Sequence, residues 1–105
     1  MPGFHAPETD QLFETILRLE TVDECYALFE DLCTVKELRD MSQRLQIARL
    51  LHSGMKYQEV SELTKVSSAT ISRVNRCLMY GSGGYRMAID KMTPPAASEG
   101  GEADG

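Results

Sequence analysis

Apolar residues recur along most of the chain at the three- and four-residue spacing of a single helix face. The pattern predicts helices over about 8–19, 22–32, 35–53, 57–63, 68–78 and 85–92. Two Thr-x-x-Glu sequences, Thr21 with Glu24 and Thr34 with Glu37, are typical of capping boxes at helix starts. Gly54 is a natural stop for the longest helix, because glycine readily adopts the left-handed backbone of a helix end. The sequence therefore predicts an all-α protein of six helices.

The same spacing predicts which side chains face inward. The apolar positions are Leu12, Phe13, Ile16, Leu17 and Leu19 in the first helix and Cys25, Tyr26, Leu28, Phe29 and Leu32 in the second. The third helix contributes Leu38, Met41, Leu45, Ile47, Ala48 and Leu51, and the last contributes Met87, Ala88 and Met92. The first two stripes are wide for a chain of 105 residues. Either they pack within one monomer, or they interlock with a second copy, because a helix that is apolar on more than one side has to be covered.

Residues 57–78 contain two short amphipathic helices separated by a tight turn, a pattern that predicts a helix-turn-helix. Their inward positions are Val60, Thr64, Ile71, Val74 and Leu78, with Val66 in the turn. Ser67 is in position to cap the second helix with its hydroxyl group. Lys65 stands where such a turn usually has glycine, so either the turn differs slightly from the usual one or it carries some backbone strain.

The outward positions of the second helix are small, hydroxylated or basic: Ser68, Ala69, Ser72, Arg73 and Arg76. A helix with this face can enter the major groove of DNA, where a carboxylate would be repelled by phosphates. We expect Ser68, Ala69, Ser72 and Arg73 at or near base edges, and Lys56, Gln58, Lys65, Ser67 and Arg76 at phosphates. Paired amphipathic helices also occur in bundles that never contact nucleic acid, so a helical protein-interaction module is the alternative.

The net charge of −5 is unevenly distributed along the chain. Residues 1–35 carry a net charge of −7, residues 36–91 carry +5, and residues 92–105 carry −3. The basic stretch therefore contains the predicted helix-turn-helix, as binding to a phosphate backbone requires. The acidic first part would face away from DNA or toward a basic partner.

Several other features of the sequence limit the classes to which the protein can belong. No apolar run reaches the length of about 18 residues that a membrane span needs, and the N-terminal sequence is not typical of a signal peptide. Three cysteines without Cys-x-x-Cys spacing favour reduced thiols in the cytoplasm, and with two distant histidines they predict no metal site. No Ser-His-Asp, paired-carboxylate or Cys-His arrangement indicates an enzyme. We expect a flexible N-terminus (1–7), one helical DNA-binding domain (8–92) and a disordered acidic tail (93–105).

Three sequence features point to a known family: Thr34, residues 44–54 (RLQIARLLHSG) and residues 69–73 (ATISR). Over roughly residues 10–92 the chain resembles the Trp repressor family, and residues 80–86 (YGSGGYR) match a little-characterised bacterial branch of it. The resemblance implies a six-helix, intertwined homodimer whose N-terminal helices exchange between subunits. It also implies a DNA-binding transcriptional regulator, most simply a repressor that occludes a promoter.

In that family, the effector tryptophan is held by an arginine on each side and by a threonine-bearing segment. Arg44, Arg73 and Thr34 match those positions, whereas Val74 replaces a glycine that leaves room for the indole ring and Cys77 replaces a serine. Because the β-branched Val74 would clash with the ring, we expect no binding of L-tryptophan, and we expect no cofactor, while the identity of any small-molecule effector stays open. The two arginines would then bind another small anion, contact phosphate or form ion pairs.

Overall fold

The computed structural model describes residues 5–93, and within them the chain forms six α-helices and no strand. The helices are α1 (Pro7–Leu17), α2 (Val22–Leu32), α3 (Val35–His52), α4 (Tyr57–Thr64), α5 (Ser68–Tyr80) and α6 (Gly84–Met92). The predicted all-α class is confirmed, and no helix end differs from its predicted position by more than two residues. Pro7 is already helical, and otherwise the predictions for the two chain ends lie largely outside the described residues.

The chain divides into two compact units, and the division falls inside α3, between Met41 and Ser42. In the first unit, the Thr34 Oγ1 accepts from the Glu37 N–H at 3.0 Å, and the Glu37 carboxylate accepts from the Thr34 N–H at 2.8 Å. This is a complete capping box at the start of α3. The predicted cap of α2 is half formed: Thr21 Oγ1 accepts from the Glu24 N–H at 3.0 Å.

The first unit leaves its large apolar side chains in contact with solvent. No residue of α1 or α2 is buried. Phe13 is 56% exposed, Leu17 80% and Tyr26 58%. The two wide apolar stripes are therefore largely exposed in the single chain, so of the two alternatives, packing within one monomer is not observed.

The second unit has a hydrophobic core of its own. Its buried members are Ile47, Ala48, Val60, Val66, Ile71, Val74 and Ile89, with Leu50, Leu51, Met55 and Tyr85 partly buried against them. Burying each of the larger side chains contributes about 1.5–3 kcal/mol relative to leaving it exposed. Of the predicted inward positions of α4, α5 and the turn, Val60, Val66, Ile71, Val74 and Leu78 are buried, and Thr64 is partly buried.

The C-terminal end of α3 is followed by a tight turn that leads the chain into this core. Gly54 has φ +102°, a left-handed conformation that glycine adopts without penalty. Its N–H donates to the Leu51 carbonyl at 3.0 Å, and the Met55 N–H donates to the Leu50 carbonyl at 3.1 Å. These bonds form a Schellman motif, which turns the chain and packs Met55 against the core.

The inward face predicted for α6 is wrong. Met87 is 54% exposed and Met92 79% exposed, and Ala88 is exposed as well, whereas Ile89 is 7% exposed and belongs to the core. The helix packs through Tyr85 and Ile89, which lie four residues apart on one face. The prediction for α3 is only partly correct, because Met41 and Leu45 stay exposed while Ile47 and Ala48 are buried.

Residues 81–83 join α5 to α6. The Gly81 N–H donates to the Cys77 carbonyl at 2.8 Å. A Cβ atom at Gly81 would lie 2.4 Å from that same oxygen, so the close approach requires glycine. Gly83 has φ +88° immediately before α6. The glycines therefore shape a reversal between two helices.

We predict that Gly81→Ala destabilises the protein by about 1–3 kcal/mol, because the new methyl group collides with the Cys77 backbone and the turn has to shift. Thermal unfolding at fixed protein concentration measures the effect, at about 4–8 °C per kcal/mol for a domain of this size. Gly84→Ala is the matched control, because a Cβ at Gly84 meets no atom within 4 Å. Equal melting temperatures for the two variants would contradict the close approach.

Candidate nucleic-acid interface

Three residues, Lys65, Val66 and Ser67, separate α4 from α5. Lys65 adopts φ +61° and ψ +29°, a left-handed conformation that is uncommon for a residue other than glycine, so the second of the two alternatives, a turn with some backbone strain, is the one observed. Its N–H donates to the Ser61 carbonyl at 2.8 Å, and the Ser61 hydroxyl donates to the Val66 carbonyl at 3.1 Å. With Val66 buried, these bonds hold the turn against the core. Sequence reasoning missed the role of Ser61 in holding this turn. The only sequence features that could have indicated it are that the residue is polar and lies one helical turn before Lys65.

The predicted cap at Ser67 is confirmed. Its Oγ accepts from the Thr70 N–H at 3.3 Å, which satisfies one of the free N–H groups at the start of α5. The Ser67 hydroxyl itself donates to the Thr70 Oγ1 at 3.2 Å. The start of α5 is thereby held by side chains of its own first turn.

Opposite sides of α5 have opposite character. Ile71, Val74 and Leu78 are buried. The predicted outward residues are all exposed: Ser68, Ala69, Ser72, Arg73 and Arg76. Four of them, Ala69, Ser72, Arg73 and Arg76, line one open depression of about 210 Å³. The whole of α5 contains no carboxylate.

The remaining predicted DNA contacts lie on α4 and in the turn. Lys56, Gln58 and Lys65 are exposed. The backbone N–H of Lys56 donates to the Glu59 carboxylate at 3.0 Å, so this acidic group closes the start of α4. These side chains therefore lie on the surface, at the start of α4 and in the turn before α5.

The residues expected around an effector are divided between the two units. Thr34 lies in the first unit, where its hydroxyl caps α3, while Arg44, Arg73, Val74 and Cys77 lie in the second. Val74 is 2% exposed and is part of the core. Arg44 and Cys77 are exposed. Within residues 5–93 neither Arg44 nor Arg73 forms an ion pair, so the expected alternative of ion pairing is not observed there.

Arg86 is a further residue that sequence reasoning missed. Its Nε donates to the Leu78 carbonyl at 3.1 Å, and Nη2 lies 3.4 Å from the Met79 sulfur. Carbonyls in the last turn of a helix lack partners inside the helix, so this bond closes the C-terminal end of α5 from α6. Nothing in the sequence of residues 80–86 indicates a contact eight residues back along the chain.

His52 and Asp90 form a second connection in this unit, with Nε2 and Oδ1 3.3 Å apart. The pair joins the end of α3 to α6.

In the part of the chain that the structure describes, no group of His, Cys, Asp and Glu side chains is placed to hold a metal ion. All three cysteines are free thiols. Among these same residues, no helix is both long and apolar enough to cross a membrane.

The chain is thus a small all-α protein in which two helices joined by a short turn present exposed basic side chains. The chain belongs to the Trp repressor family, because the family model for the Trp repressor protein matches residues 7–93. It is 49% identical over 85 residues to the uncharacterised protein YerC of Bacillus subtilis (strain 168), a match that covers 81% of this chain and 82% of YerC.

Two solved structures support the same assignment. A candidate Trp repressor from Staphylococcus aureus has a TM-score of 0.79 and 44% identity, covering 84% of this chain and 88% of that one. A TrpR-like protein from Eubacterium eligens ATCC 27750 has a TM-score of 0.79 and 42% identity, covering 83% and 90% of the two chains. The family and the fold are thus established by both sequence and structure.

Proposed function

We propose that the protein is a sequence-specific DNA-binding transcriptional regulator, most simply a repressor, that acts as a homodimer. The observation that carries the proposal is the exposed face of α5. It combines small, hydroxylated and basic side chains without a carboxylate, on a helix whose other face is buried in the core. A helix with these two faces suits the major groove, which admits one helix and repels acidic side chains.

The roles of individual residues follow from their places on this surface. Ser68, Ala69 and Ser72 would face base edges, because the N-terminal part of a recognition helix enters deepest. The phosphate contacts would come from exposed side chains around them: Lys56, Gln58, Lys65, Ser67 and Arg76. Arg73 would also lie at or near base edges, with contact to an effector as its competing role. The net charge of +5 over residues 36–91 supplies the general attraction to DNA.

The proposed dimer rests on the first unit. Apolar side chains as large as Phe13, Leu17 and Tyr26 are more than half exposed there, and stripes of this size on a small protein are usually covered by a partner. A second copy is the simplest partner, since two-fold dimers match paired DNA half-sites about 34 Å apart. Family membership supports the same assembly.

We do not expect L-tryptophan to be the effector. Val74 is almost fully buried and packs in the core, so it occupies space that a glycine would leave empty. A ligand ring at this position would have to displace a packed side chain.

The direct experiment is selection of bound fragments from genomic DNA of the source organism at near-physiological salt, with and without L-tryptophan. The proposal predicts one enriched, roughly palindromic motif in both samples. Enrichment only with tryptophan would show that Val74 is accommodated. Enrichment in neither sample, together with stoichiometric binding of a protein partner, would favour an interaction module that uses the acidic and apolar first unit.

Arg76→Ala should weaken binding to all DNA sequences alike and lower the slope of log affinity against log salt by about 1 per bound subunit. A salt titration of binding to the selected site and to unrelated DNA measures both effects. The control is Arg49→Ala, which removes the same charge from an exposed position on α3, outside the depression. If the salt slope of Arg76→Ala equals the salt slope of Arg49→Ala, Arg76 does not contact a phosphate.

Substitutions at Ser67 separate its role as a cap from its proposed contact with DNA. Ser67→Ala removes the acceptor for the Thr70 N–H and should cost about 0.5–2 kcal/mol of stability. Ser67→Asp keeps an acceptor and should retain the stability of the native protein, but its charge would oppose a phosphate. We therefore expect Ser67→Ala to melt lower and Ser67→Asp to bind DNA more weakly. If Ser67→Ala has both the lower melting temperature and the weaker DNA binding of the two variants, a DNA contact at Ser67 is contradicted.

Leu17→Glu should disrupt the proposed dimer. Leu17 is 80% exposed in the single chain, so the change costs little there, but it would bury a carboxylate in the interface. Analytical ultracentrifugation at micromolar protein should show a dimer for the native protein and a shift to monomer for the variant. Gln11→Glu adds the same charge at an exposed polar position of α1 and should remain dimeric. A native protein that sediments as a monomer would refute the dimer.

A further inference from the structure

We infer that Arg86 is a positioning residue: from α6 it fixes the C-terminal end of α5, and with it the tilt of the proposed DNA-binding face. The inference rests on the proposed function and deepens it, because it gives a residue outside that face a role in DNA selection. Two contacts of the guanidinium carry it. Nε donates to the Leu78 carbonyl at 3.1 Å, and Nη2 lies 3.4 Å from the Met79 sulfur.

The Leu78 carbonyl needs a partner from outside its own helix. A continuing helix would supply the N–H of residue 82, but α5 ends at Tyr80 and the backbone of Gly81 is extended, with φ −79° and ψ −159°. Leu78 is only 5% exposed, so the surrounding protein limits access of water to this residue. The Nε–H of Arg86 supplies the missing donor, and the hydrogen bond ties the last turn of α5 to α6.

The two contacts require the shape of an arginine. Nε and Nη2 lie in one plane and donate in neighbouring directions, which suits acceptors on the consecutive residues Leu78 and Met79. The sulfur is a weak acceptor, so the bond to the carbonyl is the stronger of the two. A lysine at this position would keep the charge but would place a methylene group where Arg86 has Nε. Charge and geometry can therefore be separated by one substitution.

The helix that carries Arg86 is itself fixed at two places. Tyr85 and Ile89 pack against the core, and Arg86 and Asp90 each follow one of them, so these two polar residues lie on one side of α6. The Asp90 carboxylate lies 3.3 Å from Nε2 of His52, in the last turn of α3. This exposed pair contributes little stability, but it is directional. Through these two polar side chains α6 connects the last turns of α3 and α5.

Apolar packing alone does not set the tilt of α5. The contacts of Ile89 with the core hold α6 close, but the hydrophobic effect has no preferred direction, whereas a hydrogen bond does. Ser68 lies ten residues before Leu78, so a tilt of about 10° at Leu78 would move Ser68 by about 2.6 Å over about 15 Å of helix. Binding sites need a precision of about 0.5 Å. Loss of Arg86 should therefore weaken selection among DNA sequences more than general attraction to DNA.

The test compares the affinity for the site selected by the native protein with the affinity for unrelated DNA. Arg86→Ala and Arg86→Lys should each lower the ratio of the two affinities about tenfold, the cost of roughly one mismatched base pair. Arg86→Lys should keep the native dependence of binding on salt, because its charge is unchanged. Lys91→Ala is the matched control, since it removes a basic group from an exposed position of the same helix and should keep the native ratio.

Variants of Asp90 test whether this residue acts through Arg86. Asp90→Asn keeps an acceptor for the His52 ring and should keep the native ratio of affinities. Asp90→Ala should lower the ratio about threefold, because the exposed pair is weak. The double variant Arg86→Ala/Asp90→Ala should be no lower than Arg86→Ala alone, since residues that act together are not additive. Thermal unfolding sets a common temperature at which every variant is folded.

A second readout needs no DNA. Residual dipolar couplings of backbone N–H groups, measured by NMR, report the direction of α5 relative to α6 and the end of α3. Arg86→Ala should change or average the couplings of α5 and leave those of α6 in place. Lys91→Ala should keep the native couplings in all three helices.

Three results would overturn the inference. The first is a native direction of α5 in Arg86→Ala. The second is a proportional loss of affinity for both kinds of DNA, which a general loss of stability would cause. The third is recovery of the native ratio and salt dependence in Arg86→Lys after both are lost in Arg86→Ala, which would make Arg86 a phosphate contact.

Failure of the native protein to bind any DNA would overturn the proposed function, and with it the role of Arg86 in DNA selection. The dipolar couplings would still decide whether Arg86 fixes the direction of α5.

Discussion

The packing of α5 against the core of the second unit is the contact on which the rest of this structure depends. Ile71 and Val74 are buried among side chains from α3, α4 and α6, so one helix provides the centre of the unit. With 3.6 residues per turn, burying this face directs Ala69, Ser72, Arg73 and Arg76 to the opposite side. The same apolar contacts therefore hold the fold and orient the proposed DNA-binding surface.

Both ends of α5 are held by polar groups that the core cannot provide. At its start, Ser67 accepts a backbone N–H, after a turn that needs Lys65 in a left-handed conformation. At its end, Arg86 reaches back to the Leu78 carbonyl, and Gly81 allows the chain to pass within contact of Cys77. A helix that is held at both ends and along one face has little freedom to change its orientation. Such restraint would suit the proposed DNA-binding surface, which would have to match the spacing of base edges and phosphates.

Local patterns in the sequence predicted the features that depend on local physics. The helix positions, the caps at Thr34 and Ser67 and the two faces of α5 follow from periodicity and from hydrogen bonds within one turn. The inward face of α6 was predicted wrongly, because a nine-residue helix with apolar residues on several sides does not indicate which side meets the core. Contacts between elements, such as the bond from Arg86 to Leu78, have no signature in sequence spacing.

The two units place different demands on a ligand or partner. The first unit exposes apolar side chains, so its stability is coupled to whatever covers α1 and α2. The second unit buries its own core and leaves charged groups outside, so a partner can bind α5 without disturbing the packing beneath it. A ligand that required the space of Val74 would have to displace a buried side chain, and overpacking of this kind costs about 1–3 kcal/mol. If the protein binds DNA as proposed, control through the outer face of α5 or through dimer assembly would avoid that cost.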